Sequence, residues 1–266
     1  MGHLENFKKV TNGDFTIRPD GELGAVDTAH GVFFGRYKGR EVAVKAHANE
    51  GNATHEADML KTIAAIGITA VNPYRVIPSR TEEAFLVTDR MNLASGASLP
   101  FSGQGRRSES AFASASDIAR TLGKLHGNGI THGDAQIKNF GLHRETIDFT
   151  TNRPAVVVYD PEKGGTDAIG HGKSRPYDHD LASLPQSLAY KSLGGHNLDS
   201  AVDTLEQFVL TPYEEASTMT GLDTHVATSA VNHAFDKFVE VRDKLAFATS
   251  HGHGSSQAPP HPTKSH

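Results

Sequence analysis

The nine residues THGDAQIKN, Thr131 to Asn139, constrain the fold of this chain more than any other stretch. A segment with helical periodicity, Ser110 to His126, comes just before them, and Gly127 and Gly129 are typical of its end. An apolar segment that begins at Phe140 comes just after them and favours a strand. The stretch is therefore predicted to be a loop that joins a helix to a strand, and it carries the pattern H-G-D-x-x-x-x-N.

Composition narrows the class of protein. At 266 residues the chain is long enough for one or two domains with a sizeable core. It has no cysteine, which excludes disulfides and Cys-ligated zinc and fits a cytoplasmic location. No apolar run approaches the roughly 18 residues of a membrane span, the N-terminus lacks the apolar core of a secretory signal, and a net charge of -5 argues against nucleic acid as a partner. The 16 histidines form no HExxH pattern and are expected to be structural or exposed.

A short strand and the helix after it are predicted to place a lysine beside a glutamate. In the strand EVAVK side chains alternate, so Lys45 lies on the face opposite the valines. Ala53 to Ile66 is then helical, and Glu56 shares its apolar face with Leu60 and Ile63. A carboxylate on a buried face is costly unless it is paired, so Glu56 is predicted to pair with Lys45. The alternatives are a Glu56 in water at the rim and a Lys45 that faces solvent.

The chain changes character after its first third. Val71 to Ile77 and Glu83 to Thr88 are predicted strands, rich in apolar and β-branched residues. A linker rich in Gly and Ser follows, and helical periodicity dominates after it. The fold class expected is α+β, with a mostly antiparallel β lobe and one helix over residues 1–88 and a mostly helical lobe over residues 89–249.

The second part of the chain contains another apolar strand that ends in a carboxylate, Ala155 to Asp160. The polar residues 143–154 before it are predicted to form a long turn, and the Gly- and Lys-rich loop after it, 161–176, is too polar for the core. A buried helix is predicted to begin near Asp180, whose carboxylate would bind free N–H groups at the helix start. Pro185 fits only in the first turn of such a helix.

Two more helices are predicted, over Leu198–Leu210 and Thr224–Phe247. The histidine-rich tail 250–266 has no apolar periodicity and is predicted to be disordered. The chain contains no internal repeat.

The order of these elements resembles that of the protein-kinase-like superfamily: VAVK, a helical Glu, HGDxxxxN, then an apolar strand ending in Asp. The HGD form of the motif, with glycine at its second position, resembles that of small-molecule kinases of the aminoglycoside phosphotransferase and choline kinase kind. It also resembles that of minimal atypical kinases of the RIO kind. The resemblance spans roughly Gly21 to Leu188. It implies a two-lobed fold with ATP in the cleft, under a glycine-rich loop and against a hinge that contacts adenine.

The resemblance implies a role for each matching residue. Lys45 would bind the phosphates of ATP, with Glu56 fixing its ammonium, and Asp134 would act as the base on a substrate hydroxyl. Asn139 and Asp160 would hold Mg²⁺, or Mn²⁺ in its place. The nucleotide-binding positions implied are Gly31, Lys45, Thr88, Asp89, Arg90 and Met91.

The sequence departs from the family pattern in several places. In Asp27 to Gly31, the short turn expected over the nucleotide, only Gly31 fits the glycine-rich pattern G-x-G-x-x-G. Gln136 stands where many protein-serine kinases have a lysine, two residues after the base. The DFG motif reads Asp160-Pro161-Glu162, in which Glu162 is either an extra metal ligand or a charged loop residue. Only about twenty residues separate Asp160 from Asp180, which leaves no room for a long activation loop.

These features predict an ATP- and Mg²⁺-dependent kinase that transfers the γ-phosphate to a hydroxyl of a small molecule, such as a sugar, an aminoglycoside-like compound or an amino alcohol. Acidic residues of the C-terminal helices are candidates for binding a cationic acceptor, although a solvated surface explains them equally well. These residues are Glu206, Glu214, Glu215 and Asp223. Two alternatives stay open: an autophosphorylating atypical protein kinase, and a nucleotide-binding pseudokinase that serves as a scaffold.

Overall fold

The computed structural model describes residues 3–17, 31–79, 82–91, 93–95, 106–148, 153–161, 163–166, 175–192 and 198–251. Most of the turn expected over the nucleotide, Glu162 and the tail beyond residue 251 lie outside these residues. The described part of the chain is α+β and contains two antiparallel sheets.

The larger sheet has five strands in the order β1-β2-β3-β5-β4, and two helices pack on it. Its elements are β1 (Phe15–Ile17), β2 (Val32–Tyr37), β3 (Arg40–His47), β4 (Pro73–Pro78), β5 (Ala84–Asp89), α1 (His3–Val10) and α2 (Glu50–Ala65). Successive side chains of a strand point to opposite faces. Phe85 accordingly packs with Phe7 of α1, whereas Leu86 packs with Leu60 of α2. The two helices therefore cover opposite faces of the sheet.

The predicted helix over Ala53–Ile66 is present as α2, but it begins earlier, at Glu50. The β2–β3 turn has positive φ at Lys38 (49°) and Gly39 (80°), as a two-residue hairpin turn requires. The α2 helix begins after Asn49, whose side chain accepts a hydrogen bond from the backbone of Asn52, and Gly67 follows its end with φ 81°. These signals lie within a few residues of the turn and of the helix ends that they determine.

The rest of the described chain is mainly helical and carries the smaller sheet, in the order β6-β7-β8. Its elements are β6 (Leu93–Ser95), α3 (Arg106–Gly127), β7 (Phe140–Asp148), β8 (Arg153–Val158), α4 (Arg175–Ser192), α5 (Leu198–Leu205), a π-helical segment (Glu206–Leu210), α6 (Thr211–Met219) and α7 (Thr224–His251). The predicted boundary at residue 89 lies where the chain leaves the larger sheet and enters the smaller one. None of the described helices is both long enough and apolar enough to span a membrane.

Helix α3 lies at the centre of the helical core. Leu122 and Leu125 are fully buried in the same cluster as Tyr213 of α6. Gly123 allows the two helices to approach closely, because a Cβ at this position would lie 2.6 Å from the Tyr213 carbonyl oxygen. This packing holds the C-terminal end of α3, from which the HGD loop departs.

Two predicted boundaries in this part are wrong. Residues 143–154 do not form one long turn, because β7 continues to Asp148 and β8 begins at Arg153. Strand pairing uses backbone groups, so a polar sequence can extend a hairpin without an apolar signal. Pro185 lies inside α4 rather than in its first turn, and it is buried. Burial of Leu181 and Leu184 offsets the roughly 3 kcal/mol that an interior proline costs a helix.

The predicted helix over Leu198–Leu210 is present but does not end there. It passes through the π-helical segment directly into α6 and reaches Met219. Pro212 does not interrupt this path, because proline is tolerated near a helix start and here it falls in the first turn of α6.

Candidate active site

The loop after α3 holds Asp134 between two side-chain amides. Gln136 Nε2 donates a hydrogen bond to Asp134 Oδ1 at 2.8 Å. Asn139 Nδ2 donates to Asp134 Oδ2 at 3.2 Å and to the Asp134 backbone oxygen at 2.8 Å. Asn139 and Ile137 are buried in a single 3₁₀ turn that leads into β7, which fixes the position of the amide. Because the nitrogen of Asn139 is used by Asp134, its Oδ1 is the end that can face a cation.

His132 is buried and structural, one of the two roles expected for the histidines of this chain. Its Nε2 donates to the Tyr159 carbonyl oxygen at 3.1 Å, and the Asp134 backbone N–H donates to its Nδ1 at 3.4 Å. Burial lowers the pKa of His132 despite the carboxylates nearby, so the ring is neutral with its proton on Nε2. Its role is to connect the HGD loop to the end of β8.

The buried carboxylate of Asp180 holds the backbone of the same loop. It accepts hydrogen bonds from the N–H groups of His132 at 2.6 Å and of Gly133 at 2.8 Å. It also lies 3.2 Å from Nε2 of His126, whose Nδ1 is 2.7 Å from the hydroxyl of Tyr213. Helices α3, α4 and α6 are thereby connected to the loop that carries Asp134.

The prediction that Asp180 would bind the N–H groups of its own helix is wrong. Helix α4 begins earlier, at Arg175, so the amides that follow Asp180 already lie within the helix. Burial by itself would raise the pKa of Asp180, but the hydrogen bond from His126, the neighbouring histidines and the His132 amide outweigh it and lower the pKa. The carboxylate is therefore ionised where it binds the loop.

Lys45 connects the larger sheet to the end of β8. Its ammonium donates to Glu56 Oε2 at 2.7 Å and to Asp160 Oδ1. Burial alone would lower the pKa of Lys45, but the charges of Glu56 and Asp160 raise it above its ordinary value, so the amine stays charged. The Glu56 side chain is only 4% exposed. The predicted Lys45–Glu56 pair is confirmed, and the alternative of a Glu56 in water is wrong.

His47 is a neighbour of this pair that the sequence analysis missed. Its Nε2 lies 3.3 Å from Glu56 Oε2, and its side chain is buried. The signal was present in the strand alternation, because His47 is two residues after Lys45 and therefore on the same face of β3.

Strands β7 and β8 bring Asn139 and Asp160 to the same end of their ladder. Phe140 pairs with Val158, and the Tyr159 N–H donates to the Asn139 carbonyl oxygen at 3.3 Å. Asp160 follows at once with φ 61°, a left-handed conformation that is uncommon for residues other than glycine. Such a backbone is often found where function requires a fixed side chain.

The donor set at this end fits Mg²⁺. An amide oxygen and a carboxylate are hard oxygen ligands, and Mg²⁺ is commonly bound by one or two carboxylates together with substrate phosphates and water. Among the described residues no group of three or more His, Asp or Glu side chains could hold a metal by itself. A cation would therefore depend on Asn139, Asp160 and oxygens that a substrate supplies.

Residues 163–166 pack directly on the HGD loop. The Thr131 N–H donates to the Gly165 oxygen at 2.9 Å, and the Gly165 N–H donates back to Thr131 at 3.2 Å. Gly164 is buried, and its oxygen lies 2.9 Å from Nε2 of His55 on α2. The prediction that the loop after β8 is too polar for the core is wrong here, because glycine backbone fills the space that apolar side chains would otherwise occupy.

The glycine of HGD is required by this packing. Gly133 has φ 80°, and a Cβ there would overlap the Lys163 carbonyl group and lie 2.6 Å from the Gly164 nitrogen. We expect Gly133→Ala to lower the free energy of unfolding by about 2–4 kcal/mol and to reduce turnover, because strain and overlap both displace the loop. Urea denaturation and steady-state kinetics measure the two effects.

Gly39→Ala is the matched control for that substitution. Gly39 also has φ 80°, but a Cβ there would meet nothing within 4 Å. The free energy of unfolding of Gly39→Ala should therefore fall by only about 1 kcal/mol, the cost of a left-handed backbone at a residue other than glycine. Equal losses in the two variants would contradict the role assigned to the contact with Lys163.

The predicted hinge residues follow directly from β5. The backbone N–H of Asp89 donates to the Asn72 oxygen at 3.0 Å, and that of Arg90 donates to the Glu41 oxygen at 3.2 Å. The Met91 N–H makes no hydrogen bond among the described residues. Of the predicted stretch, Met91 is therefore the residue whose backbone donor can serve an adenine ring.

The other two predicted nucleotide residues lie against β3. The Gly31 carbonyl oxygen accepts from the Ala46 N–H at 2.8 Å, and a Cβ at Gly31 would lie 2.7 Å from the Ala46 side chain. Thr88 is buried, and its hydroxyl donates to the Ala43 oxygen at 3.4 Å. Both positions border the strand that carries Lys45.

The acidic residues suggested for a cationic acceptor lie on the C-terminal helices. Glu214 accepts from the Thr228 hydroxyl at 2.7 Å, and Asp223 caps α7 through the backbone N–H groups of His225 and Val226. Neither these two nor the exposed Glu206 and Glu215 are hydrogen-bonded to the described HGD loop. Helix capping and surface solvation account for them without an acceptor.

Comparison of the chain with models of known protein families and with curated proteins returned no match. Any functional assignment therefore depends on the geometry of the residues described above.

Proposed function

We propose that this chain is an ATP- and Mg²⁺-dependent phosphotransferase with a two-lobed, protein-kinase-like arrangement, which transfers the γ-phosphate to a hydroxyl of a small molecule. The observation that supports this most is the set of Lys45, Glu56 and Asp160, joined although Lys45 and Asp160 are 115 residues apart. In the adjoining loop, Asp134 is held by Asn139. A fixed cation, oxygen ligands for a metal and a positioned carboxylate are the parts that phosphoryl transfer requires.

Lys45 and Glu56 would act on the phosphate groups. The Lys45 ammonium remains charged and offsets the negative charge of the phosphates, while Glu56 holds the amine at a fixed position. Mg²⁺ bound by Asn139 and Asp160 would supply further neutralisation of the phosphate oxygens. Because Asp160 touches Lys45, the groups that handle phosphate charge lie side by side.

Asp134 would act on the acceptor. The amides of Gln136 and Asn139 each engage one of its oxygens and hold the carboxylate in one orientation. From there it accepts the proton of the acceptor hydroxyl while the hydroxyl oxygen bonds to the γ-phosphorus and ADP leaves. The short spacing between Asp160 and Asp180 supports a small acceptor over a protein that must be held by a long loop.

The test is consumption of ATP by purified protein with Mg²⁺ and a library of hydroxyl compounds. We expect Lys45→Ala and Asp160→Ala each to lower kcat/KM for ATP by about 10²–10³-fold, because both groups act on phosphate charge. Lys61→Ala is the control, since Lys61 also lies on an element beside the sheet but is exposed and pairs with Asp58 at 2.9 Å.

Unchanged kinetics in either site variant would contradict the assignment. Labelled ATP followed by mass spectrometry of the protein distinguishes the acceptor class. Phosphorylated serines or threonines without turnover of any small molecule would favour the protein-kinase alternative.

A further inference from the structure

Two exposed lysines lie on the HGD loop or in the segment packed against it. Lys138 stands next to Asn139 in the 3₁₀ turn, and its carbonyl oxygen accepts a hydrogen bond from the Tyr159 hydroxyl, which fixes its backbone. Lys163 lies opposite Gly133, with its backbone in direct contact with that glycine. Both side chains are exposed, and neither ammonium pairs with a carboxylate of the described residues.

Two other surface lysines are paired with carboxylates on their own helices. Lys61 pairs with Asp58 at 2.9 Å, and Lys237 pairs with Glu240 at 2.9 Å. Such pairs offset the local charge of the surface. At Lys138 and Lys163, by contrast, the positive charge stays available to a ligand.

Three described carboxylates around the HGD loop are already used. Glu56 and Asp160 bind Lys45, and Asp180 is buried against the backbone of the HGD loop. Asp134 is held by two neutral amides, which leave its charge in place. Lys138 and Lys163 can therefore offer positive charge to a ligand held at the HGD loop.

We propose that the acceptor is a small hydroxylated anion, carrying a carboxylate or a phosphate group, and that Lys138 and Lys163 bind this group. This inference rests on the phosphotransferase function proposed above. An anionic acceptor would be repelled by Asp134 and by the phosphates of ATP, and two lysines within the same site offset that repulsion. Of the acidic residues suggested for a cationic acceptor, Glu214 instead binds a threonine hydroxyl and Asp223 caps a helix.

The proposed reaction is balanced within this site. The acceptor O–H bond breaks and its proton passes to Asp134, while the oxygen forms a bond to the γ-phosphorus. The bond between that phosphorus and the β–γ bridging oxygen breaks, and ADP leaves with that oxygen. The lysines take no part in bond changes; they select which alcohol is held at Asp134.

Binding to the full chain tests the inference. The protein is first saturated with Mg²⁺ and a non-hydrolysable ATP analogue, so that added anions do not occupy the phosphate site. D-glycerate, glycerol 3-phosphate, glycerol and ethanolamine are then titrated separately by calorimetry. We expect the two anions to bind at least about 10-fold more tightly than glycerol or ethanolamine, and the stronger of the two anions identifies carboxylate or phosphate as the recognised group.

Charge-removing variants complete the test. In the double variant Lys138→Gln and Lys163→Gln, the preference for the anion over glycerol should fall by about 10-fold or more. Lys124→Gln is the matched control, because Lys124 is exposed on α3 and outside the HGD loop; it should keep the preference.

Three results would overturn the inference: tighter binding of ethanolamine than of glycerate, no binding of either anion, or an anion preference that the double variant retains. Weaker binding of the ATP analogue by the double variant would also overturn it, since the lysines would then act on ATP rather than on the acceptor. If the analogue fails to bind to the unmodified protein, the first titration shows it before any acceptor is added. That result overturns the proposed function itself, and the acceptor inference with it.

Discussion

Replacing Asp134 by Asn should lower the rate of phosphate transfer by about 10²–10⁴-fold, the range expected when a general base is lost. An amide cannot accept the proton of the hydroxyl, yet it matches the carboxylate in shape. One oxygen remains to accept from Gln136 or Asn139, so the loop should keep its conformation. The measurement is kcat at saturating ATP, with thermal unfolding to verify that the variant is folded.

Asp236→Asn is the control for that experiment, because Asp236 is exposed on α7 and the same chemical change there should not alter kcat. If Asp134→Asn retained full turnover, another group would have to be the base. If neither protein turned over any acceptor while both bound nucleotide, the pseudokinase alternative would stand.

Replacing Asp180 by Ala should cost about 3–5 kcal/mol of unfolding free energy, the range found when one partner of a buried charged network is removed. The change leaves the N–H groups of His132 and Gly133 and the ring of His126 without their buried acceptor. Transfer activity should fall too, because the loop that carries Asp134 loses its support. Urea denaturation measures the stability loss, and Asp203→Ala, at an exposed position of α5, should change stability by no more than about 0.5 kcal/mol.

The difference in stability between the parent protein and Asp180→Ala depends on pH, and its direction follows from the pKa of Asp180. The pKa of Asp180 is lower in the folded protein than in the unfolded chain, so the unfolded state binds the proton more readily. The contribution of Asp180 is present above the unfolded pKa of about 3.9 and is lost as pH falls through the lower folded pKa. The stability gap between the parent and Asp180→Ala should therefore narrow only in acid, and a gap that stayed constant down to acid unfolding would contradict the charged network.

Asp134→Asn tests the chemistry of the site, whereas Asp180→Ala tests the support of the loop that carries it. Asp134 belongs to the chemistry and should affect turnover with little loss of stability. Asp180 makes no contact with the proposed acceptor and should affect both quantities, because it acts through the position of the loop. A Gly133→Ala variant should resemble Asp180→Ala rather than Asp134→Asn, since it also displaces the backbone of the loop.

Features that depend on neighbours in sequence were predictable. The Lys45–Glu56 pair joins a strand to the next helix, and strand alternation with helical periodicity was sufficient to orient both side chains. The end of α2 was predicted to within one residue, whereas its start lies at Glu50 rather than at Ala53. The contact between Asp134 and Asn139 lies within one loop, so their spacing alone keeps them close.

Contacts between segments that are distant in the chain were harder to predict from the sequence. His47 was missed although the strand alternation that placed Lys45 also puts His47 on the same face of β3, beside Glu56. The orientation of Asp180 was predicted wrongly because a helix start was inferred from local signals, whereas its true hydrogen-bond donors lie in another loop. The length of β7 and β8 and the position of Pro185 were misjudged because backbone pairing and burial override local preference there.

The sequence by itself determined the α+β class and the order of a strand lysine, a helical glutamate, the H-G-D-x-x-x-x-N loop and a strand ending in aspartate, because each depends on periodicity and spacing along the chain. Only the tertiary structure decided that Lys45 touches Asp160, that Gly133 must be glycine and that Lys163 lies against the HGD loop. The physical reason is that these contacts join segments far apart in the chain. They form only when the sheets and helices bury their apolar faces against one another, and no local pattern records them.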